Sequence, residues 1–146
     1  MSLSKRLKRM GLFLILMIAF TAGYSITTDE IRDIMNKPAA TVEDALYLLS
    51  SIDNPDLQKS DINLGENDRL KALNPQDSLN AGRFSIIAIE MKKVKGGIIY
   101  NLTGLSKYAA ESLVYRKIFP DGFSWNREIS GYELIEFIST IKEKQK

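Results

Sequence analysis

The stretch Ser130-Gly131-Tyr132-Glu133-Leu134-Ile135-Glu136-Phe137-Ile138 decides the fold class. A serine followed three residues later by glutamate is the pattern of a capping box. The hydroxyl accepts one exposed N–H of a helix's first turn, and the carboxylate reaches back to accept another. Leu134, Phe137, Ile138 and Ile141 then repeat at helical spacing and give the helix one apolar stripe. Lys142, Lys144 and Lys146 follow, where positive charge suits the negative end of the helix dipole.

Upstream the same kind of signal recurs. Thr27 with Glu30 opens a short helix through Met35, which Lys37-Pro38 closes because proline disfavours helical geometry in the residue before it. Thr41 caps a second helix, with Glu43 and Asp44 in its first turn and Ala45, Leu46, Leu48, Leu49 and Ile52 as its apolar surface, ending at Asn54-Pro55. Residues 56–67 are polar and broken by Gly65, so a loop is predicted there, with one helical turn over residues 68–73. A helix over residues 79–95 places Phe84, Ile87, Ala88, Met91 and Val94 on one stripe, and Gly96-Gly97 stops it. Another runs over residues 106–117, with Tyr108, Ala109, Ser112, Leu113 and Ile118 as its inner edge, before the turn Pro120-Asp121-Gly122. Residues 97–102 alone look strand-like, and one short apolar run builds no sheet. The predicted fold is all-α, a small bundle of about five to six short helices.

Two segments share an order of elements, residues 42–94 and residues 108–141: a helix, a loop with proline, then a capped turn into a second amphipathic helix. In the second, Tyr108-Ala109-Ala110-Glu111, Arg116-Lys117-Ile118-Phe119-Pro120 and Ile129-Ser130-Gly131-Tyr132-Glu133-Leu134 resemble an S-layer homology repeat. The resemblance implies two helix-turn-helix units and an envelope location. It departs from the family where a Thr-Arg pair grips acidic cell-wall polysaccharide, for this chain has Ser130-Gly131 and, in the first segment, Asn80-Ala81. Arg83 and Arg127 stand nearby but displaced.

The N-terminus points to export. Lys5, Arg6, Lys8 and Arg9 precede an uninterrupted apolar run over residues 11–20, and Thr21-Ala22-Gly23-Tyr24-Ser25 supplies small residues for cleavage. Residues 1–25 are therefore predicted to be a secretory signal. Left uncleaved they would be a membrane anchor through residues 11–26, which reaches the lower limit of ~17 residues for a spanning helix. Residues 26–146 then form one domain of about 120 residues with one core. Either way the domain faces the periplasm or cell wall.

Removing those four charges from the 20 Lys and Arg leaves 16 against 18 acidic residues, a net of −2, so no global basic field attracts nucleic acid. Cysteine and histidine are absent, which excludes thiolate nucleophiles, disulfides, Cys/His zinc sites and a serine–histidine dyad. Asp61-Ile62-Asn63-Leu64-Gly65-Glu66-Asn67-Asp68 is rich in oxygen ligands, yet Gly65 and Ala72 fall where a calcium loop needs ligands, so a solvated loop is predicted and no metal. Asn101-Leu102-Thr103 matches a glycosylation acceptor, relevant only in a eukaryotic cell.

Function is predicted to be non-catalytic binding, without cofactor. The partner is an envelope protein or a cell-wall polysaccharide, and the missing Thr-Arg pair favours protein. The expected surface is Tyr108, Trp125, Arg127 and Tyr132. Trp125 and Phe123 have a competing role in covering the end of the helical unit. The alternatives are a small wall-lytic glycoside hydrolase using a glutamate among Glu90, Glu111 and Glu133, or a membrane-tethered spacer.

Overall fold

In this computed structural model the described residues run from 28 to 146; the predicted export segment lies outside them. Seven α-helices and one 3₁₀ turn, Lys59–Asp61, form among the described residues, with no strand. They are α1 (Thr28–Met35), α2 (Val42–Ser51), α3 (Asp68–Lys71), α4 (Ala81–Glu90), α5 (Ile98–Thr103), α6 (Ser106–Tyr115) and α7 (Gly131–Lys144). The fold is all-α, as the periodicity predicts.

Four helices start from side-chain caps, and those of α2, α4 and α7 follow one pattern. Thr41 Oγ1 accepts the Asp44 N–H at 3.2 Å while Asp44 Oδ2 accepts the Thr41 N–H at 3.0 Å. Ser130 and Glu133 make the same reciprocal pair at 3.2 and 3.1 Å. Asn80 Oδ1 accepts the Arg83 N–H at 2.8 Å, half of the same device, because arginine cannot accept in return. Each of these three cap residues follows a fully buried apolar one, Ala40, Leu79 or Ile129.

Those three preceding residues close a ring of backbone hydrogen bonds. Leu79 N–H donates to Ala40 C=O at 2.7 Å, Ala40 N–H to Ile129 C=O at 2.9 Å, and Ile129 N–H to Leu79 C=O at 2.8 Å. Buried amides must be paired, and here three short extended segments satisfy one another without a sheet. α2, α4 and α7 all set out from one hub. Around their inner faces lie Phe84, Phe119, Phe123 and Phe137. Phe119 stacks on Phe123 with centroids 4.7 Å apart and meets Phe137 edge-on at 4.8 Å.

Two helix ends differ from the sequence expectation. α4 stops at Glu90, ahead of Gly96-Gly97, because Lys92 takes a left-handed conformation with φ 60°. Lys93 N–H then bonds Ala88 C=O and Lys92 N–H bonds Ile89 C=O, the paired bonds of a Schellman turn. α6 ends the same way, with Lys117 at φ 59°, Ile118 N–H on Leu113 C=O and Lys117 N–H on Val114 C=O. Glycine is the usual occupant of this position, since a Cβ is strained there. Lys92→Gly and Lys117→Gly are each expected to stabilise the fold by about 0.5–1 kcal/mol in urea titrations. The Lys117–Asp121 pair lost in the second is exposed at both ends and contributes little.

Residues 97–102 are a correction: the strand-like run is helical, forming most of α5. Tyr100 alone of its residues is buried, and Gly104 at φ 68° ends the helix by donating its N–H to Tyr100 C=O at 2.7 Å. With no neighbouring strand to pair with, local helical bonding satisfies this backbone better than extension.

Candidate functional site

Trp125 and Arg127 lie on the loop between α6 and α7, and its backbone is fixed to the first turn of α4. Gly82 N–H donates to Trp125 C=O at 2.7 Å, and Ala81 N–H to Arg127 C=O at 2.9 Å. Gly82 permits this approach: a Cβ there would stand 2.8 Å from Ser106 Cβ and 3.1 Å from Trp125 O. Phe123 folds inward onto the phenylalanine cluster as its covering role requires. Trp125 does not follow it and remains 42% exposed.

Arg127 is held in place from two sides. Its guanidinium lies 4.5 Å from the Phe123 ring centroid and donates to Glu133 Oε1 at 2.6 Å. Tyr132 sits half-buried in the first turn of α7, next to the glutamate that holds Arg127. Tyr108, half-buried on α6, lines instead a groove of about 470 Å³ with Ile98, Ile99, Tyr115 and Arg116. The other three predicted residues are not in that groove. The four therefore divide between a loop surface carrying Trp125 and Arg127 and a separate groove carrying Tyr108.

The glutamates named as possible acids are engaged or solvent-facing. Burial alone would push the Glu90 carboxyl up, but hydrogen bonds from Tyr100 Oη at 2.6 Å, Asn67 Nδ2 at 2.7 Å and Arg69 at 2.8 Å outweigh it and hold Glu90 below its ordinary value. Tyr100 is pushed up to about 12 by its burial and by Glu90, so it serves as a donor. A general acid needs its proton near neutral pH, and this site has the opposite bias. Glu133 is occupied by the Ser130 cap and Arg127. Glu111 is exposed on α6.

In the oxygen-rich loop, Asn63 Oδ1 accepts the Gly65 N–H and Asn67 Oδ1 caps α3 at the Leu70 N–H. Among the described residues no three acidic side chains gather as metal ligands.

Ala81 and Gly131, each the residue after a helix cap, are packed shut. Ala81 is fully buried, and a Cβ at Gly131 would stand 1.6 Å from Ile34 O, the backbone at the end of α1. No side chain at either position reaches solvent.

Sequence reasoning missed a second surface. Ile98, Leu102 and Tyr115 are at least 80% exposed, and Ile99 and Leu105 are more than half exposed. They lie on α5, on the link after it and at the end of α6. Among the described residues no helix is long and apolar enough to cross a membrane. Comparison of the chain with protein-family models, with curated proteins and with solved structures gives no match in any of the three.

Proposed function

We propose that this chain is an exported, non-catalytic helical module of the periplasm or cell wall that binds an envelope protein through Trp125 and Arg127. The observation that carries this reading is the exposed indole on a loop whose backbone is already fixed by hydrogen bonds to α4. Tryptophan and arginine dominate protein interfaces because they bury large area around oriented polar groups, and a fixed loop loses little freedom on binding. The basic, apolar, small-residue order of residues 1–25 supports export. Cell-wall polysaccharide is the less favoured partner, since the positions that would carry its arginines are sealed at Ala81 and Gly131.

A photoreactive residue in place of the exposed Asn126 tests the reading in intact envelopes. A discrete protein adduct is expected, and Trp125→Ala should weaken the interaction about thirtyfold, the effect of a hot spot of about 2 kcal/mol. Sedimentation with purified wall, in the absence of any adduct, would reassign the partner to the polymer. Mass measurement of the mature chain tests export: a start at Tyr24 or Ile26 means cleavage, and an intact Met1 or Ser2 in the membrane means anchoring.

A further inference from the structure

The surface around α5 combines two properties that rarely coincide by accident on a soluble face. The first is outward apolar side chains. Ile98 and Leu102 fall at i and i+4 on one side of α5, Leu105 follows on the extended link to α6, and all three point away from the protein with exposures of 80%, 81% and 56%. The attachment is through Tyr100, whose ring is buried beneath Arg69 at 5.1 Å and whose hydroxyl is bonded to Glu90. α5 is thus a short helix held at Tyr100 alone, with Ile98, Ile99 and Leu102 outward.

The second property is charge. Residues 92–117 carry six basic residues and one acidic residue, Glu111, a net of +5; Lys93 is buried against Asp53 and Lys117 pairs with Asp121, which leaves Lys92, Lys95, Lys107 and Arg116 against Glu111, a net of +3 at the surface. The rest of residues 26–146 holds 10 basic against 17 acidic residues, a net of −7. The charge is set beside the apolar surface, and the contacts show how. The groove lined by Ile98, Ile99 and Tyr108 shares Tyr115 and Arg116 with a neighbouring cavity whose walls include Lys95 and Lys144. Arg116 Nε donates to Lys95 C=O at 2.7 Å, which holds the two cationic residues together along that edge.

We infer that α5 and its basic edge dock on the surface of a bilayer containing anionic lipid, with Ile98, Leu102 and Leu105 entering the acyl boundary. Helices of this kind bind through buried apolar area together with attraction to anionic headgroups. Tyr108 and Tyr115 have the amphipathic form that favours headgroup depth. A protein partner for this face would have to be both apolar and acidic, and a second copy would bring like basic edges together. The inference stands apart from the Trp125 contact, which lies on a different loop, and either can fail alone.

Because the chain lacks cysteine, Leu102→Cys accepts a single environment-sensitive fluorophore in the full-length protein. Vesicles of equal parts phosphatidylcholine and phosphatidylglycerol are expected to blue-shift its emission, and vesicles of phosphatidylcholine alone are not. A label at exposed Asp56 serves as the control that residues 1–25 do not cause the change, and it should remain unshifted. Lys95→Gln and Arg116→Gln should each weaken binding about fivefold, and added salt should weaken it further. Ile98→Glu should abolish the shift at position 102 with an unchanged circular dichroism spectrum, since Ile98 is 80% exposed. No shift with anionic vesicles overturns the inference. So does an equal shift with neutral vesicles, or a shift without vesicles that follows dimer formation in sedimentation.

Discussion

Gly131→Ala is expected to destabilise the protein by about 3 kcal/mol or more, the upper end of the range for overpacking, because the obstacle is main chain. A methyl group there would overlap Ile34 O at 1.6 Å and the Ile34 carbonyl carbon at 2.6 Å. Flexible side chains can rotate away from such an intrusion, but a carbonyl at the end of α1 can move only with its helix. That movement would break the Gly131 N–H bond to Lys37 C=O and lift Ile31 and Ile34 from the core. Urea denaturation followed by circular dichroism measures the loss. Gly122→Ala provides the contrast: nothing lies within 4 Å of its added Cβ, so any cost there reports only its φ of 77°.

Asp44→Asn should cost about 3 kcal/mol at neutral pH, as expected when one member of a buried ion pair is removed. The Asp44 side chain is fully buried, accepts Lys37 Nζ at 2.9 and 2.8 Å and caps the Thr41 N–H. Lys37 keeps partial access to water, which holds the cost near the lower end of the range. Burial raises the Asp44 pKa, and the bonds from Lys37 and Thr41 more than reverse this, leaving it below 3.8. Glu90 likewise lies below 4.5. For depressed carboxylates the sign is definite: their stabilisation is complete above the ordinary pKa and is lost as pH falls through the lower folded one. Unfolding free energy is therefore expected to hold from neutral pH to about pH 5 and then decline in acid. In Asp44→Asn the curve should start lower and decline less. An identical acid decline in both proteins would exclude Asp44 as its source.

Elements specified by residues close in sequence were readable from it. The caps at Thr41 and Ser130 join residues three apart, and the apolar stripe of α7 emerges as predicted, as do Phe84, Ile87 and Ala88 on α4 and Ala109, Ser112 and Leu113 on α6, whereas Met91, Val94 and Ile118 lie past the ends of their helices. What depends on distant neighbours was not readable. Residues 97–102 read as a strand because isoleucine and tyrosine favour pleated surfaces, while their actual state follows from Tyr100 meeting Glu90 and Arg69. The end of α4 was placed at Gly96-Gly97 because left-handed turns usually need glycine, and Lys92 takes that conformation instead. For the site, the exposure of Trp125 could not be read from composition, since Phe123 two residues earlier is just as apolar and turns inward. The division between the Tyr108 groove and the Trp125 loop is equally non-local.

The ring joining Ala40, Leu79 and Ile129 has a consequence for the order of events during synthesis. Its members come from the first, middle and last parts of the domain, and each donates its N–H to one of the other two and accepts from the third. A nascent chain that has not yet released Ile129 can form the Leu79–Ala40 bond but leaves the Ala40 N–H and the Leu79 C=O without their partner. The hub therefore closes only once the segment leading into the C-terminal helix is present.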